Sequence, residues 1–188
     1  MTARLILVGH ASTDAVRRTA FPADEPIDDS GKKRAAELAG HLPKIDRSWT
    51  SPELRTRQTA EALGLSAAIQ PALRECDYGR WLGKTFSEVA AEEPHAAETW
   101  LGDPAAAPHG GETIVELIKR VAVWLAAEQR HDQRSIIVTH PTIIRAAIVH
   151  VMTAPPQSFW RIDVEPLSVT RFSGKDGRWN ITSIGCAP

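Results

Sequence analysis

Leu5-Ile6-Leu7-Val8-Gly9-His10-Ala11-Ser12-Thr13 begins as an unbroken apolar run and ends in a turn of small residues that carries one histidine. A short Leu/Ile/Val run without polar alternation reads as a strand covered on both faces, which places it in a parallel or mixed α/β sheet. Open α/β sheets bind ligands outside the carboxyl ends of their strands, and His10 falls at such an end. The same pattern returns in Ser135-Ile136-Ile137-Val138-Thr139-His140, after which Pro141 opens an apolar helix.

Between these two anchors the chain alternates helices and short strands. Asp14 to Ser30 is polar, carries Pro22 and Pro26, and reads as a loop over the strand end that contains Arg17 and Arg18. A helix follows, with Asp29 or Ser30 as its N-cap, an apolar face of Ala35, Ala36, Leu38, Ala39 and Leu42, and Pro43 as its stop. Asp46 to Thr50 reads as a second strand, and Ser51-Pro52 as the cap and first position of a helix that Gly64 ends. Arg55 then lies in that helix's first turn, close to a strand end. Ala67 to Gln70 is expected to be an edge strand, and Leu73 to Gly83, with no period and with glycines beside its aromatics, an ordered loop. Short helices are expected at Thr85 to Glu92 and after Pro94, a loop at Asp103 to Gly111, and a long helix from about Glu112 to Arg130. Trp160 to Val164 and Val169 to Phe172 read as strands, and Gly174-Lys175-Asp176-Gly177 as the turn that sends the chain back through Trp179 to Ile184.

Composition narrows the class. The chain has 188 residues, 43% of them apolar and 24% charged, which suits one domain spanning residues 1–188. A formal net charge of −1 gives no general attraction to nucleic acid or to a membrane surface. No apolar run approaches the ~20 residues that span a bilayer, and Met1-Thr2-Ala3-Arg4 lacks a signal-peptide pattern. Cys76 and Cys186 give no disulfide framework. A reduced, cytoplasmic protein is expected, monomeric or homodimeric. The histidines show no HxxxH or HxH spacing, there is no CxxC, and no metal or other cofactor is expected. Ser12, Thr13 and Ser51 lack a G-x-S-x-G elbow. The third option is a histidine nucleophile, with an arginine and a second histidine holding an anion.

Five segments in order match this third option. They are Gly9-His10-Ala11-Ser12-Thr13; Ser51-Pro52-Glu53-Leu54-Arg55-Thr56-Arg57-Gln58-Thr59-Ala60; Leu73, Glu75, Gly79, Trp81 and Gly83; Gly110-Gly111-Glu112-Thr113; and His140-Pro141-Thr142-Ile143-Ile144-Arg145. Together they resemble the histidine phosphatase superfamily, the phosphoglycerate-mutase-like enzymes. The resemblance implies a three-layer α/β/α sandwich with a central, mostly parallel sheet and an antiparallel C-terminal hairpin. It implies His10 as the nucleophile that becomes phosphohistidine, Arg55 and His140 as ligands of the phosphoryl oxygens with Thr13 and Thr142 beside them, and Glu75 as the general acid. The substrate implied is a small phosphorylated metabolite, with no metal in the reaction. A carboxyl group in an apolar loop is expected to have a raised pKa suited to giving a proton. Strands 4–8 and 135–139 are expected side by side, with the two histidine rings within about 8 Å so that one phosphate meets both.

Two departures carry consequences. The family's arginine before the nucleophile is Gly9 here, and its asparagine three residues past the threonine is Val16. Losing the arginine removes a charge-assisted bond of about 1.5–3 kcal/mol and is expected to leave a space beside His10 and a weakened kcat. Arg17 or Arg18 is the candidate replacement charge; a gain of tenfold or more in Gly9→Arg, about 1.4 kcal/mol, marks a simple deficit, and no gain marks a pocket rebuilt around Gly9. The alternatives are a catalytically impaired relative that binds a phosphorylated ligand, and a phosphomutase. Asp14 to Asp28 and Glu93 to Gly111 are expected to form the lid that chooses the substrate. His41, His95, His109, His131 and His150 carry no motif and are expected to be ordinary.

Overall fold

The structure is a computed structural model and describes residues 2–129 and 132–186. Arg130 and His131, together with Met1, Ala187 and Pro188, lie outside the described residues, so the expected end of the long helix and the role of His131 are not reached. Strand β1 (Ala3–Gly9) leads through α1 (Asp14–Arg18) and α2 (Asp29–Leu38) to β2 (Arg47–Thr50), α3 (Leu54–Ala62) and β3 (Ala68–Ile69). Helices α4 (Phe86–Glu92), α5 (Pro94–Gly102) and α6 (Ile114–Glu128) precede β4 (Arg134–Thr139), α7 (Pro141–Val151) and the hairpin of β5 (Val169–Lys175) and β6 (Arg178–Cys186).

These strands form one six-stranded sheet in the order β3-β2-β4-β1-β5-β6. The pairings β2–β3, β2–β4 and β1–β4 are parallel, whereas β1–β5 and β5–β6 are antiparallel. Successive strand residues face opposite ways, and the apolar runs are buried on both sides. Leu5, Leu7 and Ile137 pack with Leu117, Val121 and Leu125 of α6 and Ile144 and Ile148 of α7. Ile6, Val8, Ile136 and Val138 pack with Ala35 of α2 and with Ala60 and Leu63 at α3. Burying each large aliphatic side chain stabilises the fold by about 1.5–3 kcal/mol. Helix layers on both faces make the expected three-layer α/β/α sandwich. Among the described residues no helix is long and apolar enough to cross a membrane.

Local chemistry explains where elements begin, including where the expectations miss. α4 and α6 each start at a capping box, Thr85 with Glu88 and Thr113 with Glu116. The expected loop after β1 contains the short helix α1, because the Thr13 hydroxyl accepts from the Val16 amide and caps it. The cap of α2 is Asp28, which accepts from the Gly31 amide, rather than Asp29 or Ser30. That helix ends at Leu38, ahead of Pro43, in a 3₁₀ turn over Ala39–His41. α3 starts at Leu54 rather than at Pro52. The Ser51 hydroxyl serves other partners, donating to Leu73 O at 2.5 Å and meeting Thr139 Oγ1 at 2.9 Å. Asp24, far back in the chain, caps α3 instead, its Oδ1 accepting from the Leu54 amide at 2.6 Å. Trp160 to Val164 forms no strand. Pro155 and Pro156 set up a 3₁₀ segment over Pro156–Arg161, and the Trp160 ring packs edge-on against Trp100, centroids 4.1 Å apart.

Candidate active site

The sheet order makes β2, β4 and β1 neighbours, so their carboxyl ends stand in a row at the ~4.8 Å spacing of adjacent strands. Gly9 and Thr139 are register partners, which makes His10 and His140 the next residues on adjacent strands. The two ring centroids lie 5.5 Å apart at an interplanar angle of 67°, inside the separation one phosphate can bridge. Arg55 comes from the first turn of α3, immediately beyond β2.

His10 is buried, and its amide donates to Thr139 O at 2.8 Å. Its Nδ1 lies 2.8 Å from Ala11 O. A carbonyl only accepts, so Nδ1 carries the hydrogen and the Nε2 lone pair is free. Burial, then the charges of His140 and Arg55, lower the pKa of His10 to about 3. The ring is therefore neutral near neutral pH.

Arg55 has no exposed surface. Its Nη1 donates to Ala23 O at 2.6 Å and its Nη2 to Glu75 Oε2 at 3.0 Å, while its Nε has no hydrogen-bond partner. The Thr59 hydroxyl donates to Arg55 O at 2.7 Å and accepts from the Ala11 amide at 3.0 Å. One threonine thereby fixes the arginine's helix to the nucleophile's turn.

Glu75 Oε2 lies 3.0 Å from Arg55 Nη2 and 3.3 Å from His140 Nδ1. Its Oε1 accepts from the Cys76 amide at 2.9 Å and from the Thr142 hydroxyl. Burial pushes the Glu75 pKa up, but the charges of His140 and Arg55 and these two hydrogen bonds outweigh it and bring the value down to about 2. The expected rise is thus reversed. The reason is that Arg55 of α3, His140 and Thr142 at the start of α7 and the Cys76 amide of the loop surround the carboxylate in place of apolar groups.

His140 is wholly buried, and its Nε2 lies 2.7 Å from Glu53 Oε2. Glu53 is the residue that the sequence reading missed. Its other oxygen accepts from the Glu75 amide at 2.9 Å. It occupies an unrestricted position of the Ser51-Pro52-x-x-Arg55 segment, and its only signal there is a carboxylate two residues before the arginine. His140 is also the N-cap of α7, so that helix points its positive end at the cluster.

The remaining expected residues sit differently. Thr13 is buried, with its hydroxyl oxygen capping α1, and Thr142 gives its hydroxyl hydrogen to Glu75. Arg17 pairs with Asp28 at 2.9 Å and Asp14 at 3.4 Å, and Arg18 with Asp14 at 3.6 Å. Both arginine side chains are more than half exposed. They occupy the last turn of α1, within pairing distance of Asp14 in its first, so both are engaged by acidic neighbours here. The expected space beside Gly9 is also filled. A Cβ at Gly9 would meet Glu165 O at 3.2 Å, Val164 Cγ1 at 3.6 Å and Ile144 Cδ1 at 3.9 Å. The covering segment is held by Gly9 N–H donating to Ser168 O at 3.1 Å and by Leu167 N–H donating to Gly9 O at 3.0 Å. Among the described residues no group of three or more His, Cys, Asp or Glu side chains is arranged to hold a metal ion.

Comparison with known proteins meets this geometry. A family model described as the histidine phosphatase superfamily (branch 1) matches residues 5–187. A bifunctional protein of Mycobacterium tuberculosis is 28% identical over 90% of this chain, which spans 50% of that relative. The chain thus spans about half the length of the first curated relatives it matches. The glucosyl-3-phosphoglycerate phosphatase of Mycolicibacterium vanbaalenii is 31% identical over 85% of this chain and 78% of its own. Among solved structures, a native mycobacterial glucosyl-3-phosphoglycerate phosphatase superposes with a TM-score of 0.86 over all of both chains at 23% identity, a likeness of fold.

Proposed function

The chain belongs to the histidine phosphatase superfamily, and from that membership we propose that it hydrolyses a small phosphomonoester through a phosphohistidine on His10, with the charge in the step supplied by side chains rather than by a metal. The observation that carries the reading is the cluster itself. A neutral His10 lies 5.5 Å from His140 and within the field of a buried Arg55, while Glu75 lies against both Arg55 and His140.

In the first half-reaction His10 Nε2 attacks phosphorus, the P–O ester bond breaks, and the leaving oxygen takes a proton from Glu75. Arg55, His140 and the amides at the start of α7 bind the phosphoryl oxygens. These donors sit in a water-poor site where each is worth more than in water. In the second half-reaction water attacks phosphorus, Glu75 takes its proton, the P–N bond breaks and inorganic phosphate leaves. Glu75 must be protonated for the first step, although its pKa is about 2. The substrate supplies the shift. A phosphoryl dianion takes Arg55 and His140 as its own partners and repels the carboxylate beside it, and both effects favour the protonated acid.

The test is hydrolysis of p-nitrophenyl phosphate and a panel of sugar, nucleotide and carboxylate phosphates, with a base quench to trap the phosphoramidate. Turnover and a label, both lost in His10→Ala, are expected. No turnover of any member above the His10→Ala control overturns the reading. A second reading, a protein that binds a phosphorylated ligand without turning it over, is favoured by Gly9 alone. It requires calorimetric binding of phosphosugars with no label on His10.

A further inference from the structure

We propose that Glu53 is a positioning residue for phosphoryl transfer, one carboxylate that holds the His140 ring and the Glu75 loop in a single register. The inference rests on the phosphatase reading. Glu53 Oε2 takes the Nε2 side of His140 at 2.7 Å, across 87 residues of sequence. Its Oε1 takes the backbone N–H of Glu75 at 2.9 Å. A carboxylate only accepts, so Nε2 carries its hydrogen toward Glu53, and Nδ1 is the nitrogen left facing Glu75. That Nδ1 is buried and forms no hydrogen bond of its own. With Nε2 free, a turn of the ring about its Cβ–Cγ bond would put a carbon where the phosphoryl oxygen needs an N–H donor.

Two further features support the role. Glu53 stands at the N-cap of α3 yet makes no capping bond to its own helix. Asp24 does that work by taking the Leu54 amide, which frees the Glu53 side chain to turn toward the site. The carboxyl also stays ionised: burial raises its pKa, but the hydrogen bond and charge of His140 bring it below the ordinary value.

The experiment compares Glu53→Ala, Glu53→Gln and Asp24→Ala in three readouts: p-nitrophenyl phosphate kinetics, orthovanadate titration, and the long-range 1H–15N spectrum of His140. Glu53→Ala is expected to lower kcat by about 10- to 100-fold, the range for carboxylates that orient a working histidine, with KM within about threefold. Orthovanadate affinity falls about tenfold, and the hydrogen-bonded Nε2 proton of His140 disappears. Glu53→Gln recovers part of the loss, because its single carbonyl oxygen replaces one of two acceptors. Asp24→Ala removes only the helix cap, so it lowers the melting temperature and leaves kcat and the His140 signal in place. The proposal is overturned if Glu53→Ala keeps kcat within twofold, if its His140 retains the Nε2 proton, or if Asp24→Ala reproduces the kcat loss. Should the wild type turn nothing over, the phosphatase reading fails first, and the vanadate titration and ring signal still decide the role of Glu53.

Discussion

The turn after β1 and the turn after β4 each set one histidine on the end of a parallel strand, and the two rings are held by opposite kinds of partner. His10 is oriented by the neutral carbonyl of Ala11 at 2.8 Å. His140 is oriented by the carboxylate of Glu53 at 2.7 Å. A carbonyl fixes a tautomer without adding charge, so burial keeps the first ring neutral and its lone pair usable. A carboxylate fixes the other nitrogen and adds a negative charge behind the ring. Strand position makes the two histidines look equivalent, and the hydrogen-bond partner separates their roles.

The sharpest way to break this comparison is to remove each ring in turn. His10→Ala is expected to abolish both hydrolysis and labelling, whereas His140→Ala retains slow labelling at about 10²–10³-fold lower rate, the cost of one transition-state donor. Equal loss of label in both variants, measured by base-quench trapping, would make the second ring as indispensable as the first.

Glu75→Gln comes next. A general acid contributes about 10²–10⁴-fold, and that loss is expected for alkyl phosphates. The loss should be much smaller for p-nitrophenyl phosphate, whose phenolate leaves without a proton. A uniform loss across leaving groups, seen in kcat/KM, which reports the first half-reaction alone, would remove Glu75 from the acid role.

Acid lability sharpens the contrast in stability. His10 titrates near 3 in the fold against a reference of 6.5, and Glu75 near 2 against 4.5. Both folded values are depressed. Their contributions are therefore complete above the reference values and are lost as pH falls, from about 6.5 downward for His10 and from about 4.5 downward for Glu75. Denaturant melts should lose stability on the order of several kcal/mol across that range. His10→Ala should flatten the upper part of it alone. An unchanged slope between pH 6 and pH 4.5 in the variant would contradict the neutral buried ring.

The smallest effect concerns Gly9. A Cβ there lies 3.2 Å from Glu165 O, so Gly9→Ala should destabilise by about 1 kcal/mol, the low end for overpacking. Gly9→Arg should lose stability and gain no activity. A tenfold gain in kcat/KM would show that the covering segment yields and that the site merely lacks a charge.

Much of this was readable in the residues. Two apolar runs ending in histidine, His10 and His140, predicted buried strands, and the family resemblance, in which both histidines meet one phosphate, predicted that the strands are adjacent, as they are. Arg55 could be placed because a short connection ties it to the end of β2, and Glu75 only through the family resemblance. What escaped was set by contacts between distant segments. Glu53 reaches His140 across 87 residues, and Asp24 caps α3 across 30. The low pKa of Glu75 depends on who surrounds it, and the expected space at Gly9 is closed by a carbonyl from the far end of the chain. Trp160 to Val164 looked like a strand by its β-formers, but the paired prolines ahead of it impose a 3₁₀ path.

Glu75 Oε2 already accepts from Arg55 and lies beside His140 Nδ1, the same two groups that the proposed mechanism offers to a phosphoryl oxygen. Admission of any phosphate is therefore an exchange of one internal anion for an external one. Its affinity is the difference between two similar terms. For the ester, the exchange is coupled to protonation of the acid and leads on to chemistry. For inorganic phosphate it leads nowhere, and the carboxylate competes to return. Under the proposed mechanism the ester and orthophosphate face the same exchange, so KM and the inhibition constant of orthophosphate should be weak together.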